Sequence, residues 1–138
     1  MQTQVVEKVL SSTDTGATGS HQAGMLVPKE RTILGFFPAL DPGLKNPRTV
    51  LQVNDEAGQE WAFQFIYYNN RYFGGTRDEF RLTGMTRYIR EFNLRAGDTV
   101  ILRRLSPRQV RISYRKAGFT GGKVLKLSGN WKVIEADV

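Results

Sequence analysis

Hydrophobic and polar residues alternate in short β-branched runs along most of the chain, a period-two pattern that turns one face of a strand to a core and the other to water. QVVEKVL (residues 4–10) and RTVLQVND (48–55) are the first two runs, and the turn-rich NDEAGQE leads from the second into WAFQFIYY (61–68). That order predicts a hairpin. DTVILRRL (98–105) and QVRISYRK (109–116) flank Ser106, Pro107 and Arg108 as a second hairpin, and KVLKL (123–127) with WKVIEA (131–136) forms a third pair after the Gly-rich GFTGG. Two segments break the pattern. PKERTILGFFPAL (28–40) opens on Pro28, gathers Ile33, Phe36 and Phe37 on one side and stops at Pro38, while MTRYIREFNL (85–94) sets Met85, Ile89 and Phe92 on one face. Both predict short helices. The expected fold is mainly β: a closed or nearly closed barrel of about seven strands with two short helices over its ends.

Composition narrows the class. A chain of 138 residues, 40% hydrophobic, without an internal repeat or linker, is expected to be one domain over residues 1–138. It has no cysteine, so disulfides and thiolate metal sites are excluded, which fits a reducing, cytoplasmic location. The N-terminus MQTQVVEKVLSS has no basic start followed by an apolar run, and no stretch approaches the roughly 18 apolar residues of a membrane span. No membrane partner is expected.

The formal charge is +7, and it is regional: residues 69–116 carry 12 Lys/Arg against 4 Asp/Glu, the remainder 8 against 9. A basic region can be a polyanion footprint or the solvated faces of strands. Arginine outnumbers lysine 13 to 7, which favours nucleic acid, because its planar fork pairs bidentately with phosphate and with guanine edges.

Two segments fit neither strand nor helix. SSTDTGATGSHQAG (11–24) has nothing to bury and predicts a surface loop, of a length more often functional than passive. The second, 69–81, lies within YYNNRYFGGTRDEFR: aromatic residues lead in from a strand, Gly74 and Gly75 allow close backbone approach, and Arg71, Arg77 and Arg81 supply forks. Asp78 and Glu79 are informative. A loop built only to grip phosphate avoids carboxylates, which belong where an arginine must be aimed or where a cytosine amino group offers a donor. The composition therefore points to base reading.

LSSTDTGATGSHQAGMLVP and IYYNNRYFGGTRDEFRLTG resemble the two DNA-gripping arms of the N-terminal effector domain of EcoRII-type restriction endonucleases, and IREFNLRAGDTVIL resembles a segment of plant B3 domains. The resemblance implies a B3-like DNA-binding pseudobarrel with an N-arm at about 11–24 and a C-arm at about 69–82 that clamp the major groove. It implies DNA-bearing residues at Lys8, His21, Arg71, Arg77, Glu79 and Arg81, within a wider set of Asp14, Thr18, Ser20, Gln22, Asn70, Tyr72, Gly75, Thr76 and Asp78. The chain departs from the EcoRII arm at Gly75 and Phe80, where that arm carries lysines, so the contact set is partly re-made.

Catalytic chemistry is not expected. His21, the single histidine, has no nucleophile, orienting acid or companion ligand beside it in sequence, and its expected role is a DNA contact in the N-arm. Asp14, Asp55, Glu56, Asp78, Glu79 and Asp98 show no carboxylate followed by a spaced Glu-x-Lys, and no glycine-rich phosphate cradle precedes residues 29–37. No catalytic residue, metal or cofactor is therefore assigned. The resemblance implies sequence-specific binding of double-stranded DNA at a CCWGG-type site by a monomer. This chain would be the effector module of a prokaryotic, nucleoid-associated type II restriction endonuclease whose nuclease domain lies further along the full-length protein. The alternatives are a stand-alone B3-like transcriptional regulator and a small nuclease.

Overall fold

The computed structural model describes residues 4–15, 24–117 and 131–135. Eight strands form one sheet: β1 (Gln4–Val9), β2 (Met25–Val27), β3 (Arg48–Asn54), β4 (Glu60–Tyr68), β5 (Glu79–Thr83), β6 (Thr99–Ser106), β7 (Gln109–Arg115) and β8 (Trp131–Glu135). Their spatial order is β2-β5-β4-β3-β7-β6-β1-β8. Pairings are antiparallel except β3 with β7, which meet in parallel at Asn54 and Arg111. α1 (Arg31–Leu34) and α2 (Thr86–Glu91) are the two short helices.

Alternation does what the sequence predicts. Along β4, Trp61, Phe63 and Phe65 face inward while Ala62 and Gln64 face water, and on β7 Val110 and Ile112 are buried on either side of the exposed Arg111. Burying each such side chain stabilises by about 1.5–3 kcal/mol. The hairpins β3–β4 and β6–β7 form as expected. The predicted strand 123–127 lies outside the described residues, and the described partner of β8 is β1.

Three differences from the sequence reading have physical causes. α1 is a single turn rather than a helix from Pro28, because the chain turns at Gly35 so that Phe36 and Phe37 can follow Ile33 into the core. β2 is too short for alternation to announce it. β5 starts at Glu79, inside the stretch predicted to be loop: its run of charged residues hides a strand stabilised by pairing with β4 on one side and β2 on the other.

Among the described residues, the sheet's two edges meet without strand pairing. Trp131, on edge strand β8, donates its indole N–H to the Leu26 carbonyl of edge strand β2 at 2.8 Å. A file of rings continues inward from this seam: Trp131 against Phe37 (5.7 Å, edge-on), Phe37 on Phe65 (4.7 Å, stacked), Phe65 on Phe80 (5.7 Å) and Phe80 on Tyr67 (4.1 Å). The file runs from the closure of the barrel to the base of the 69–82 arm. Among the described residues, no helix is long and apolar enough to cross a membrane.

Candidate nucleic-acid interface

The C-arm is anchored before it projects. Asn69, fully buried, donates its side-chain amide to the Leu44 carbonyl at 2.8 Å, accepts from the Asn46 backbone amide at 2.7 Å and donates its own backbone amide to Asn46 Oδ1 at 3.2 Å. A single 3-10 turn (Asn70–Phe73) follows, ended by Gly74 in the left-handed region at φ 91°. Asn70 closes the arm on itself: its carbonyl accepts from the Gly75 amide and its side chain from the Arg77 amide at 2.7 Å. A Cβ on Gly75 would lie 2.5 Å from Asn70 Oδ1, so glycine there is a steric requirement of this loop closure.

The charged residues then sort into two groups. In the first, Asp78 gathers Lys29 Nζ (2.6 Å), the Tyr67 hydroxyl (2.6 Å), Arg71 (3.7 Å) and, at 3.5 Å, the Tyr72 hydroxyl. Hydrogen bonds from Lys29 and Tyr67 outweigh burial and hold Asp78 below the usual carboxylate range. The same bond to Asp78, together with burial, pushes Tyr67 up to about 12, so the phenol is a proton donor at any physiological pH. Arg71 keeps a side chain 65% exposed.

In the second group, one carboxylate holds two guanidinium groups. Glu79 Oε1 accepts from Arg77 Nε at 3.0 Å, and Oε2 accepts from Arg81 through Nε (3.0 Å) and a terminal nitrogen (2.9 Å). Burial disfavours the charged Glu79, but the bonds from Arg81 and Arg77 prevail and keep its pKa low. Arg77 Cζ also lies over the Tyr68 ring, 3.8 Å from its centroid, leaving its two terminal nitrogens free of any described partner. Arg81 reaches across to the Gly24 carbonyl at 2.8 Å, at the point where the N-arm returns to the sheet. Gly24 has φ 86°, and a Cβ there would sit 2.6 Å from the Leu82 carbonyl oxygen, so the returning chain lies directly against β5.

At the other end of the N-arm, Ser11 and Asp14 bond reciprocally, side chain to amide, at 2.9 and 3.1 Å. Lys8 meets Asp14 at 3.1 Å with both side chains more than nine-tenths buried. Lys8, expected to bear on the DNA, makes in the structure a buried ion pair that fixes where the arm leaves β1. Thr18, Ser20, His21 and Gln22 lie outside the described residues. Of the expected set, Asn70, Arg71, Tyr72, Gly75, Arg77, Asp78, Glu79 and Arg81 come together on one arm, with Thr76 exposed at its tip.

Lys29 and Tyr68 belong to this arrangement and were not expected. Lys29 comes from the segment before α1, far off in sequence, and no local pattern signals the contact; Tyr68 could have been found from its place two residues before the arm's turn. The regional charge is also partly internal: Arg115 pairs with Glu7 at 2.8 Å, Lys116 with Asp98 at 2.9 Å, and Arg104 donates to the Phe36 carbonyl. Among the described residues no group of three or more acids, histidines or cysteines is disposed to hold a metal ion.

Comparison with known proteins bears on the family and the fold. Residues 1–104 match the family model described as restriction endonuclease EcoRII, N-terminal. The type II restriction enzyme EcoRII of Escherichia coli is 39% identical over 79 residues, 55% of this chain and 19% of that protein. The B3 domain-containing transcription factor VAL3 of Arabidopsis thaliana is 36% identical over 121 residues, 86% of this chain and 15% of that protein. The chain thus spans less than a fifth of these relatives. A solved structure, the Arabidopsis FUS3-DNA complex, superposes with a TM-score of 0.62 at 23% identity, covering 81% of this chain and 96% of that one. The nearly closed eight-stranded sheet with two short helices is accordingly the B3-type pseudobarrel.

Proposed function

The chain belongs to the family of the EcoRII restriction endonuclease N-terminal domain, and from that membership we propose that it binds double-stranded DNA sequence-specifically, reading a CCWGG-type site through the major groove. The observation that carries the reading is the Arg77–Glu79–Arg81 group. Two planar forks are aimed by one carboxylate, one of them braced on an aromatic face, at the root of an exposed arm. Fixed forks suit guanine edges, for which a bidentate arginine contributes about 1–3 kcal/mol of discrimination. Arg71, Tyr72 and Thr76 at the arm's tip, with Thr18, Ser20, His21 and Gln22 of the N-arm, supply further contacts to backbone and bases. The site is nearly palindromic and the chain acts as a monomer. Without a two-fold axis, its half-sites are read by different arms.

The domain serves as the effector or targeting module of a prokaryotic type II restriction endonuclease, with catalysis in a C-terminal nuclease domain of the full-length protein. A second reading, a B3-type transcriptional regulator, is favoured by the 36% identity to VAL3 across 86% of this chain. It shares the DNA-binding chemistry and differs in the attached partner and the site preferred.

A gel-shift panel in which every base pair of a CCWGG duplex is varied tests the reading, repeated with magnesium or manganese to detect cutting. The expected result is tight binding to CCWGG, a loss of about 1–3 kcal/mol for each outer-pair change, log affinity falling linearly with log salt, and intact DNA. Equal affinity for all duplexes overturns sequence-specific binding; preference for an unrelated site favours the regulator; chelator-sensitive cutting makes the chain itself a nuclease.

A further inference from the structure

At the far end of β4 from the arm, nine residues or roughly 30 Å away, a cleft of about 350 Å³ opens between the β3–β4 turn, α2 and β7. Its walls are three rings in succession, Tyr88 against Phe92 (4.8 Å) and Phe92 against Tyr114 (5.2 Å), with Ile112 beneath them. Two carboxylates, Asp55 and Glu56, line it, and none of the described lysines and arginines does. Tyr88 is 1% exposed as a residue; its hydroxyl, without a hydrogen-bond partner among the described residues, is open to solvent at the cleft rather than buried, since no buried polar side-chain atom there goes unpaired.

An accessible phenol oxygen is a ready acceptor, and aromatic walls beside carboxylates are the chemistry that recognises organic cations. We propose that this cleft binds a small organic ammonium ion, an ammonium group on an apolar stem, at a site separate from the DNA-reading arm. The ammonium donates to Tyr88 Oη in the field of Asp55 and Glu56, and the stem lies along Phe92, Ile112 and the exposed ring of Tyr114. The site's charge is durable. The Trp61 indole N–H donates to Asp55 Oδ2 at 3.0 Å, and the Ala57 and Gln59 amides donate to Oδ1 at 2.9 Å, holding the carboxylate ionised. Burial and the charge of Asp55 keep the Tyr88 phenol protonated. Asp55 cannot turn away to satisfy a guest, so Glu56, exposed on the turn, supplies the adaptable charge.

The test is an NMR titration of the whole chain with phenethylammonium chloride at fixed ionic strength, against its neutral counterpart 2-phenylethanol. Saturable shifts are expected at the Ala57, Ser113 and Tyr114 amides, with the alcohol about fivefold or more weaker. Glu56→Gln and Tyr114→Ala, both at exposed positions that folding tolerates, are expected to weaken the ammonium several-fold and to leave DNA affinity unchanged. Tyr88→Phe separates the hydroxyl from the ring and is expected to weaken it as well. Equal binding of the alcohol, shifts that do not saturate, or indifference to Glu56→Gln each overturn the proposal.

Discussion

At the residue scale, Glu79 shows how a negative charge can belong in a surface proposed to meet a polyanion. Its carboxylate is taken up by Arg77 and Arg81, so its own geometry serves to aim them; a cytosine amino group would have to share oxygens that already accept. Removing it frees two cations from their aim and raises the net positive charge. Glu79→Ala is therefore expected to weaken binding to the CCWGG duplex by about 1–3 kcal/mol while leaving affinity for random duplex unchanged or raised, as measured by paired titrations at one salt concentration. Weakening on both duplexes alike would make Glu79 a scaffold for the arm rather than a specificity element. The oddity of Asp78 and Glu79 among arginines was legible in the sequence, because charge and spacing are local properties. That Asp78 takes its shortest ion pair from Lys29, and Arg81 its carbonyl from Gly24, was not legible: both contacts depend on how distant segments are folded together.

At the scale of elements, long alternating strands were readable and short or charged ones were not. β3, β4, β6 and β7 run for seven or more residues and bury alternate positions (Leu51 and Val53; Trp61, Phe63 and Phe65; Val100 and Leu102; Val110 and Ile112), enough for a period to stand out. β5 has five residues with only Leu82 fully buried, and its strand state comes from its neighbours. The join between α2 and β6 is another feature that sequence does not reveal. Asp98, buried, accepts from the Arg95 amide (2.7 Å), the Ala117 amide (2.7 Å) and Lys116 Nζ (2.9 Å), so one side chain ties the α2–β6 turn to the end of β7. Burial alone would raise its pKa; these donors overcome burial and bring it from 3.8 to about 2. A depressed folded-state pKa contributes stability that is complete above the unfolded value and lost as the folded value is passed on acidification. Urea unfolding is thus expected to show stability falling as pH drops from about 4 to about 2, with Asp98→Asn costing on the order of 2 kcal/mol at neutral pH and flattening that decline. The decline does not vanish in the variant, since Glu7 and Asp55 are also held low. An unchanged acid profile would remove Asp98 from the account.

At the scale of the whole molecule, the basic region read from the sequence is divided between roles. Arg71, Arg77 and Arg81 sit on the arm, whereas Arg104, Arg115 and Lys116 are bonded within the barrel. A charge count along the chain cannot separate the two, because pairing is a property of the folded surface. Closure of the barrel is equally hidden, since the Trp131 indole joins strands more than a hundred residues apart. That closure has a consequence for cutting the chain. β8 pairs with β1 along five positions and reaches the opposite edge through one side chain, so it is in effect a clasp supplied last. Severed between residues 117 and 131, the protein would become an acceptor with an open β1 edge and a donor peptide that fits it. An acceptor of residues 1–117 is expected to self-associate through the bared edge, as read by sedimentation, and a peptide of residues 128–138 to restore single particles. The domain would then serve as a two-piece complementation reporter, its reassembly visible as the return of a buried tryptophan.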